Sequence, residues 1–263
     1  MPYALITGAS KGIGKELAIS LAKRKYNLLL IARSENLLAE LSKELQKKYG
    51  GSVYYKAIDL SSPDAAKEIV GWCNKGGYDI NVLINNAGYG LHGAFEKLSL
   101  EEQLNMMALN MNAGVQLTYM ILPILQKYSG KSYIMNIAST AAYQAVPYLA
   151  VYSATKSFVL SFTRALKQEL KGSNVSVTCL SPGTVETHFM ERAGMSKVQK
   201  IVKQADKFNM QADVVAEFGI KAMLQGKTEV IPGLANKVGA FSSRLLPKNM
   251  VEGVAKGLYS PEK

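Results

Sequence analysis

Tyr152 and Lys156 are the residues whose types and spacing best suit proton transfer. They stand four positions apart in an amphipathic stretch, so a helix there places them on one face, with the ammonium beside the phenol. A free tyrosine has a pKa of about 10, too high for proton exchange at neutral pH, but a nearby cation favours the phenolate. The pair therefore predicts a general acid/base.

A glycine-rich segment follows the first apolar run of the chain. It reads Thr7-Gly8-Ala9-Ser10-Lys11-Gly12-Ile13-Gly14 and passes directly into a predicted helix. Glycine permits a tight turn and a close approach of the backbone to a diphosphate, and the helix N-terminus offers unpaired N–H groups to that anion. The spacing differs from the common G-x-G-x-x-G pattern. Its place between a strand and a helix nevertheless predicts a dinucleotide site.

The end of the second apolar run bears on which dinucleotide is bound. Dinucleotide folds usually carry an acidic residue there, which binds the adenosine ribose hydroxyls. Here the run ends Ala32-Arg33. The guanidinium suits a 2′-phosphate, and Lys11 adds a second cation. These residues predict NADP(H) as the cofactor, while the nearby Glu35 keeps NAD(H) open as the alternative.

Short apolar runs alternate with longer amphipathic stretches along the chain. The predicted strands are Tyr3–Thr7, Asn27–Ala32, Val53–Ile58, Val82–Asn85, Ser132–Ala138, Val175–Leu180 and Glu229–Ile231. The predicted helices are Ile13–Lys25, Glu35–Tyr49, Pro63–Cys73, Leu100–Tyr128, Val151–Lys171 and Gln211–Leu224. Strict alternation predicts an α/β fold, a doubly wound parallel sheet of about seven strands with helices on both faces, the Rossmann fold. Ligands then bind at the carboxyl ends of the strands.

Further motifs occur in a characteristic order. They are Thr7-Gly8-x-x-x-Gly12-x-Gly14, Asp59-Leu60, Asn85-Asn86-Ala87-Gly88, Asn110, Ser139, Tyr152-x-x-x-Lys156 and Pro182-Gly183. With these motifs the sequence resembles the short-chain dehydrogenase/reductase family over nearly its whole length. The resemblance implies an NADP(H)-dependent oxidoreductase that interconverts a carbonyl and an alcohol by hydride transfer.

The resemblance also implies roles for single residues. The catalytic candidates are Asn110, Ser139, Tyr152 and Lys156. Lys156 would also hold the nicotinamide ribose, Ser139 would bind the substrate oxygen, and Asn110 would help bind a water that relays protons to Lys156. Asn112, two residues on, fits that last role loosely. Taken singly, Tyr152 also suits a core, Ser139 a turn and Asn110 a polar helix face.

The candidate cofactor contacts extend from the first loop to the end of the sixth strand. They are Thr7, Gly8, Ser10, Lys11, Gly12, Ile13, Gly14, Arg33, Asp59, Leu60, Asn86, Ala87, Gly88, Tyr152, Lys156, Pro182, Gly183 and Thr187. By resemblance, Asp59 contacts the adenine, while Pro182-Gly183 and Thr187 lie over the nicotinamide amide. Asp59 and Asn86 also suit ordinary turns.

Three loops are expected to frame the substrate: Tyr89–Phe95, Ala141–Leu149 and His188–Gln204. The first two offer mostly apolar candidate walls, which predict a hydrophobic small-molecule substrate. These candidates are Tyr89, Leu91, Phe95, Tyr143, Val146 and Tyr148. Packing within the loops is an equal alternative for them. No metal site is expected, because His92 and His188 have no matching ligand set.

Length and composition predict one cytoplasmic domain over residues 1–263, with 184–205 as a substrate lid and 233–263 as a C-terminal extension. The first residues show no export signal, and no apolar run reaches membrane-spanning length. Cys73 and Cys179 are expected to be free, buried thiols. The net charge of +11 is only weakly clustered, which favours a solvated surface over a nucleic-acid site.

The C-terminal extension carries an apolar stripe at helical spacing, formed by Leu234, Val238, Phe241 and Leu245 and flanked by Lys237, Arg244 and Lys248. We expect the stripe to close over the substrate pocket or a neighbouring subunit, with contact to an anionic membrane surface as the less favoured alternative. A homo-oligomer, dimer or tetramer, is expected from the resemblance. Phe158, Phe162 and Leu166 offer a possible seam, although the same stripe suits packing on the sheet.

Two other functions remain open. A 3-oxoacyl thioester reductase would use the same catalytic residues and direct the basic surface towards an acidic carrier protein. A non-catalytic regulator that senses NADP(H) would need the dinucleotide site alone, so Ser139, Tyr152 and Lys156 argue against it.

Overall fold

A single parallel sheet of seven strands organises the protein. The computed structural model describes residues 1–185, 189–196 and 198–261. The strands are β1 (Tyr3–Thr7), β2 (Asn27–Ala32), β3 (Val53–Ala57), β4 (Ile80–Asn85), β5 (Ser132–Ile137), β6 (Val175–Leu180) and β7 (Glu229–Val230). Their order across the sheet is β3-β2-β1-β4-β5-β6-β7. Every neighbouring pair is parallel.

Helices occupy both faces of this sheet. Their bounds are α1 (Gly12–Lys23), α2 (Glu35–Tyr49), α3 (Ala65–Gly76), α4 (Leu100–Met107), α5 (Ala113–Lys127), α6 (Ala150–Glu169), α7 (Phe189–Arg192), α8 (Gln199–Phe208), α9 (Ala212–Leu224), α10 (Leu234–Leu245) and α11 (Lys248–Tyr259). Leu17, Leu38 and Ile220 belong to the core on one face, while Ile69 and Ile121 belong to the core on the other. The predicted doubly wound α/β fold is confirmed.

The strand sequences explain why the sheet is covered on both sides. β2 and β5 are buried along almost their whole lengths, as expected for near-continuous apolar runs in a parallel sheet. The chain runs outward from β1 through β2 to β3 and then returns to place β4 on the other side of β1. This reversal opens a crevice at the carboxyl ends of β1 and β4, which is where ligands bind in such sheets.

The long helix predicted over Leu100–Tyr128 is interrupted. Residues Ala108–Asn112 form a π-helical turn between α4 and α5. A π turn inserts an extra residue into the helical repeat and is frequent at functional sites. Here it places Asn110 in the protein interior and leaves Asn112 exposed. The amphipathic pattern alone does not reveal such an insertion, because the apolar stripe continues on either side of it.

The C-terminal extension forms α10 and α11, which cover one end of the sheet crevice. Ser243 donates a hydrogen bond to the carbonyl oxygen of Tyr143 at 3.2 Å, and Asn236 donates to that of Pro232 at 2.9 Å. Throughout the described part of the chain, no helix combines the length and apolar content needed to cross a membrane.

Candidate active site

A cleft of about 800 Å³ lies at the carboxyl ends of the strands. Its walls come from the loops that follow β1, β2, β4, β5 and β6 and from α6, α10 and α11. Most of the predicted site residues line it: Gly8, Ser10, Lys11, Gly12, Ile13, Gly14, Arg33, Asp59, Leu60, Asn86, Ala87, Gly88, Ser139, Tyr152, Lys156, Pro182 and Gly183. Thr187 and His188 fall outside the described residues.

The glycine-rich loop provides a cradle at one end of the cleft. Gly8 has a φ of 65°, a backbone conformation that favours glycine. A Cβ on Gly14 would collide with the carbonyl of Gly8 and with the Asn86 side chain. Helix α1 begins within this segment, at Gly12, and has no acidic residue in its first turn, so its positive end is open to an anion. The loop residues therefore fit a dinucleotide diphosphate.

Thr7 supports the cradle from behind and does not line the cleft. Its side chain is buried, and its hydroxyl donates to the carbonyl oxygen of Ile84 at 3.2 Å. The same hydroxyl accepts hydrogen bonds from the backbone N–H groups of Asn86 at 2.9 Å and Ala87 at 3.1 Å. Thr7 thus joins the loops after β1 and β4, and its contact with the cofactor stays a prediction.

Charged side chains gather where the loops after β2 and β3 meet. Arg33 Nη1 lies 3.8 Å from Asp59 Oδ2. Partial burial on its own raises the pKa of Asp59, but two hydrogen bonds from Ser61 and the charge of Arg33 lower it below its usual value. Arg192 of α7 also lines the cleft, and its guanidinium carbon lies 4.3 Å from the ring centroid of Tyr89.

Arg192 is a cleft residue that the sequence patterns missed. Burial lowers its pKa, and the charge of Arg33 lowers it further, while Asp59 opposes that shift. Two guanidinium groups therefore act on the same small region, which favours an anion between them. No local motif marks Arg192, because it reaches Arg33 only through the fold.

Ser139, Tyr152 and Lys156 come together on the wall of the same cleft. Ser139 follows β5, whereas Tyr152 and Lys156 lie one turn apart in α6. The Ser139 side chain lies near enough to the Tyr152 phenol to lower its pKa. Lys156 Nζ donates to the carbonyl oxygen of Ile137 at 3.0 Å and lies 5.8 Å from the Tyr152 ring centroid. The arrangement brings a hydroxyl, a phenol and an ammonium to one side of the cleft.

Burial decides the protonation states of this group. Burial raises the pKa of Tyr152, although the Ser139 hydroxyl opposes that shift. It lowers the pKa of Lys156 to about 8. The phenol is therefore neutral at pH 7, because burial disfavours the charged phenolate. A neutral phenol beside an ammonium is suited to donating a proton.

Asn110 holds the loop after β4 from inside. Its Nδ2 donates to the carbonyl oxygen of Tyr89 at 2.9 Å and to Thr155 Oγ1 at 3.0 Å, and its Oδ1 accepts from the Tyr89 N–H at 3.1 Å. A Cβ on the adjacent Gly88 would come within 2.8 Å of Asn110 Oδ1 and 3.3 Å of Lys156 Nζ. Asn110 therefore fits the site better than the exposed Asn112, while its role in a water relay stays a prediction.

Most of the predicted substrate walls do not line the cleft. Of the six candidates in the loops after β4 and β5, only Val146 lines the cleft. The Tyr89 hydroxyl instead donates to the carbonyl oxygen of Glu102 at 3.1 Å. Tyr143 donates to Glu229 Oε1 at 2.9 Å, and Phe95 is largely exposed. The hydroxyl groups of Tyr89 and Tyr143 are therefore hydrogen-bonded to other parts of the fold and not directed into the cleft.

Apolar side chains from later segments form the substrate end of the cleft. They are Leu149, Phe189, Met190, Met195, Ile201, Val251, Ala255, Leu258 and Tyr259. The Tyr152 and Phe189 rings lie 5.4 Å apart. Residues of the predicted lid, 184–205, are thus on the cleft wall, and closure of this segment over a substrate stays a prediction.

Tyr259 approaches the Tyr152 phenol closely enough to raise its pKa slightly. Its backbone carbonyl oxygen accepts a hydrogen bond from His92 Nε2 at 2.7 Å.

Among the described residues, no three histidine, cysteine, aspartate or glutamate side chains lie close enough together to act as metal ligands.

The predicted stripe on α10 faces away from the cleft. Leu234, Val238, Phe241 and Leu245 are all exposed, whereas the opposite side of the helix, including Asn236 and Ala240, lines the cleft. The expectation that the stripe closes over the pocket is therefore wrong. Small side chains face the cleft because they allow the helix to approach the loop at Gly183, where an added Cβ would collide with Asn236.

Comparisons with known proteins agree with this geometry. The family model of the short chain dehydrogenases matches residues 2–199. The chain is 35% identical over 204 residues to a very-long-chain 3-oxoacyl-CoA reductase of Laccaria bicolor, a match that covers 76% of this chain and 57% of that protein. It is 36% identical over 187 residues to an NADP-dependent 3-hydroxy acid dehydrogenase of Schizosaccharomyces pombe, covering 70% of this chain and 72% of that protein.

A solved structure resembles nearly the whole fold. It is a short-chain dehydrogenase from Sphingobium yanoikuyae in complex with NADPH, with a TM-score of 0.80 and 28% identity. The likeness covers 100% of this chain and 97% of the other. Since the chain spans only 57% of the length of the Laccaria bicolor relative, the match with that protein concerns its shared domain. The chain belongs to the short chain dehydrogenase family.

Proposed function

We propose that this protein is an NADP(H)-dependent oxidoreductase that reduces the carbonyl group of a hydrophobic small molecule to an alcohol. The observation that carries the proposal is the grouping of Ser139, Tyr152 and Lys156 beside the glycine-rich cradle, on the wall of one cleft. A regulator that only binds a dinucleotide does not need this acid/base group, so the grouping favours catalysis over sensing.

The chain's own residues account for the proton in this reaction. NADPH, when bound, supplies the hydride that reduces the carbonyl carbon. Ser139 holds the carbonyl oxygen, and Tyr152 gives its phenolic proton to that oxygen as negative charge develops on it. Lys156 stabilises the phenolate that remains, and a solvent proton then restores the phenol. A neutral Tyr152 is the protonation state that this proton donation requires.

The basic end of the cleft supports NADP(H) over NAD(H). Arg33 and Lys11 line it as the sequence predicts, and Arg192 adds a third cation. Guanidinium groups bind phosphate through paired, charge-assisted hydrogen bonds. The Sphingobium yanoikuyae structure holds NADPH, and the Schizosaccharomyces pombe relative is named NADP-dependent.

A 3-oxoacyl thioester is the second substrate candidate. The apolar end of the cleft accommodates an alkyl chain, and the Laccaria bicolor relative carries the name of a very-long-chain 3-oxoacyl-CoA reductase. The net charge of +11 would attract an anionic carrier of such a thioester.

The proposal includes a cytoplasmic homo-oligomer. Cys73 and Cys179 are free and buried, which fits a reducing compartment.

The proposed oligomer contact lies on α6. Phe158 is 40% exposed and stacks on Phe162 at 6.0 Å between ring centroids. Leu166 is part of the core, so the predicted seam is reduced to the two phenylalanines.

A substrate panel tests the proposed activity. Purified protein is mixed with NADPH and with aromatic ketones, medium-chain aldehydes, 3-oxoacyl thioesters or sugars, and the loss of NADPH absorbance is followed. We expect turnover of the apolar carbonyl compounds and little turnover of the sugars. Absence of turnover across the panel, together with intact NADPH binding, would favour the regulator instead.

A further inference from the structure

A group of exposed apolar side chains recurs along the last two helices. We call it the C-terminal apolar face, and its members are Leu234, Val238, Phe241, Leu245, Met250 and Val254. Each is more than half exposed, from 55% for Val238 to 78% for Leu234. Single exposed apolar residues are ordinary, but six within two consecutive helices are typical of a surface that binds a partner.

The segment that carries this face is basic. From Leu234 to Tyr259 the sequence has one acidic residue, Glu252, and four basic ones: Lys237, Arg244, Lys248 and Lys256. The three lysines are exposed. An apolar helix face with flanking lysines suits an anionic lipid surface, which accepts the apolar side chains and attracts the cations. A second copy of the same face would bring like charges together.

The C-terminal apolar face adjoins the mouth of the cleft. Met250 and Val254 belong to both surfaces, since they are exposed and also line the cleft. Leu246, in the turn between α10 and α11, is 44% exposed and lines it too. An apolar molecule leaving a lipid layer therefore meets apolar side chains from the outer face to the substrate end, beside Tyr259.

We propose that the C-terminal apolar face docks on an anionic phospholipid surface and presents the mouth of the cleft to it. The side chains of the face enter the boundary between headgroups and acyl chains, while the lysines contact the lipid phosphates. Docking keeps a lipophilic carbonyl compound out of water on its way to the cleft. The proposal concerns membrane binding alone, so its test does not depend on the proposed reaction.

Vesicle co-sedimentation of the full chain tests the proposal. Phosphatidylcholine vesicles with and without phosphatidylglycerol are compared at low and high salt. We expect binding to the anionic vesicles only, weakened by salt. The double variant Val238→Ser/Phe241→Ser should lower the partition coefficient by about tenfold or more, since it removes two apolar side chains that enter the lipid. Neither residue lines the cleft, so turnover of a water-soluble carbonyl compound should be unchanged.

A matched double variant supplies the control. Leu100 and Leu104 of α4 are 67% and 54% exposed, and Leu100→Ser/Leu104→Ser should bind vesicles like the wild type. The proposal is overturned if the wild type does not bind anionic vesicles or if both double variants lose binding equally. It is also overturned if the wild type forms dimers in lipid-free buffer that Val238→Ser/Phe241→Ser converts to monomers, because the face then docks on a second copy.

Discussion

The ammonium of Lys156 is anchored 3.0 Å from the carbonyl oxygen of Ile137, the last residue of β5. This contact ties the middle of α6 to the end of the central sheet. It also keeps the cation buried, which lowers the pKa of Lys156 to about 8. A proton-dependent step that needs the charged ammonium is therefore sensitive to pH just above neutrality.

We predict that kcat/KM for carbonyl reduction is constant near pH 7 and falls as the pH rises through about 8. The folded pKa of Lys156 lies below its usual value, so the charge that supports Tyr152 is lost at that lower pH. A pH profile of NADPH oxidation measures this. Lys167→Met is the control, since burial also lowers the pKa of Lys167 but it contacts Ser176, away from the cleft. A rate that rises through pH 8 would contradict the assignment.

We predict that two arginines set the cofactor preference. Arg33→Asp should reverse the preference from NADPH to NADH, because a carboxylate repels a 2′-phosphate and accepts hydrogen bonds from a ribose diol. Arg192→Gln should weaken NADPH binding by about tenfold, the effect of losing a charged hydrogen bond, and leave NADH binding nearly unchanged. Fluorescence titration of both cofactors measures this, with Arg164→Gln as the control. Equal losses for NADPH and NADH would place Arg192 away from the 2′-phosphate.

The parts of the site that sequence alone predicts are those fixed by local spacing. The Gly8–Gly14 loop and the Tyr152–Lys156 pair each lie within one turn or one helix, so their geometry follows from the chain's own repeat. The contact of Arg192 with Tyr89 and that of Tyr259 with His92 join distant segments, and only the assembled fold creates them.

The C-terminal stripe shows a second limit of sequence patterns. The spacing of Leu234, Val238, Phe241 and Leu245 correctly indicates an amphipathic helix. The pattern alone favours burial of the apolar side, but a helix that passes close to Gly183 and lines a cleft does so with its small residues. Periodicity identifies two faces and does not say which one meets the protein.

We predict that Glu217 makes stability sensitive to acid. Hydrogen bonds from Arg24 and Ser20 lower the pKa of Glu217 from 4.5 to about 2, so this stabilisation is present above pH 4.5 and disappears as the pH falls towards 2. Glu217→Gln should lower the free energy of unfolding at pH 7 by about 1 kcal/mol, a modest value because solvent screens the partly exposed pair. Denaturant titration from pH 7 to pH 2 measures this.

Glu16→Gln is the control for that titration. Burial raises the pKa of Glu16, so its replacement should not destabilise the protein at neutral pH. If the Glu217→Gln variant were as stable as the wild type at pH 7, the contact between Arg24 and Glu217 would not contribute to the free energy of unfolding.

We predict that the purified protein sediments as a dimer or tetramer at micromolar concentration. Phe158 on α6 is half-exposed beside Phe162, and Phe158→Asp should shift the protein towards the monomer by placing a charge in an apolar contact. Tyr119→Ser, on the 80% exposed residue of α5, tests whether the seam extends to that helix. A wild-type monomer would contradict the prediction.

Tyr152→Phe separates cofactor binding from carbonyl reduction most directly. The substitution removes only the phenolic oxygen, so the cradle and the cations around Arg33 are unchanged. NADPH affinity, measured by fluorescence titration, should stay within about twofold of the wild-type value, while NADPH-dependent carbonyl reduction should fall by about a hundredfold to ten-thousandfold, the usual loss of a general acid. A Tyr152→Phe enzyme that keeps most of its activity would contradict the central claim that Tyr152 donates the proton.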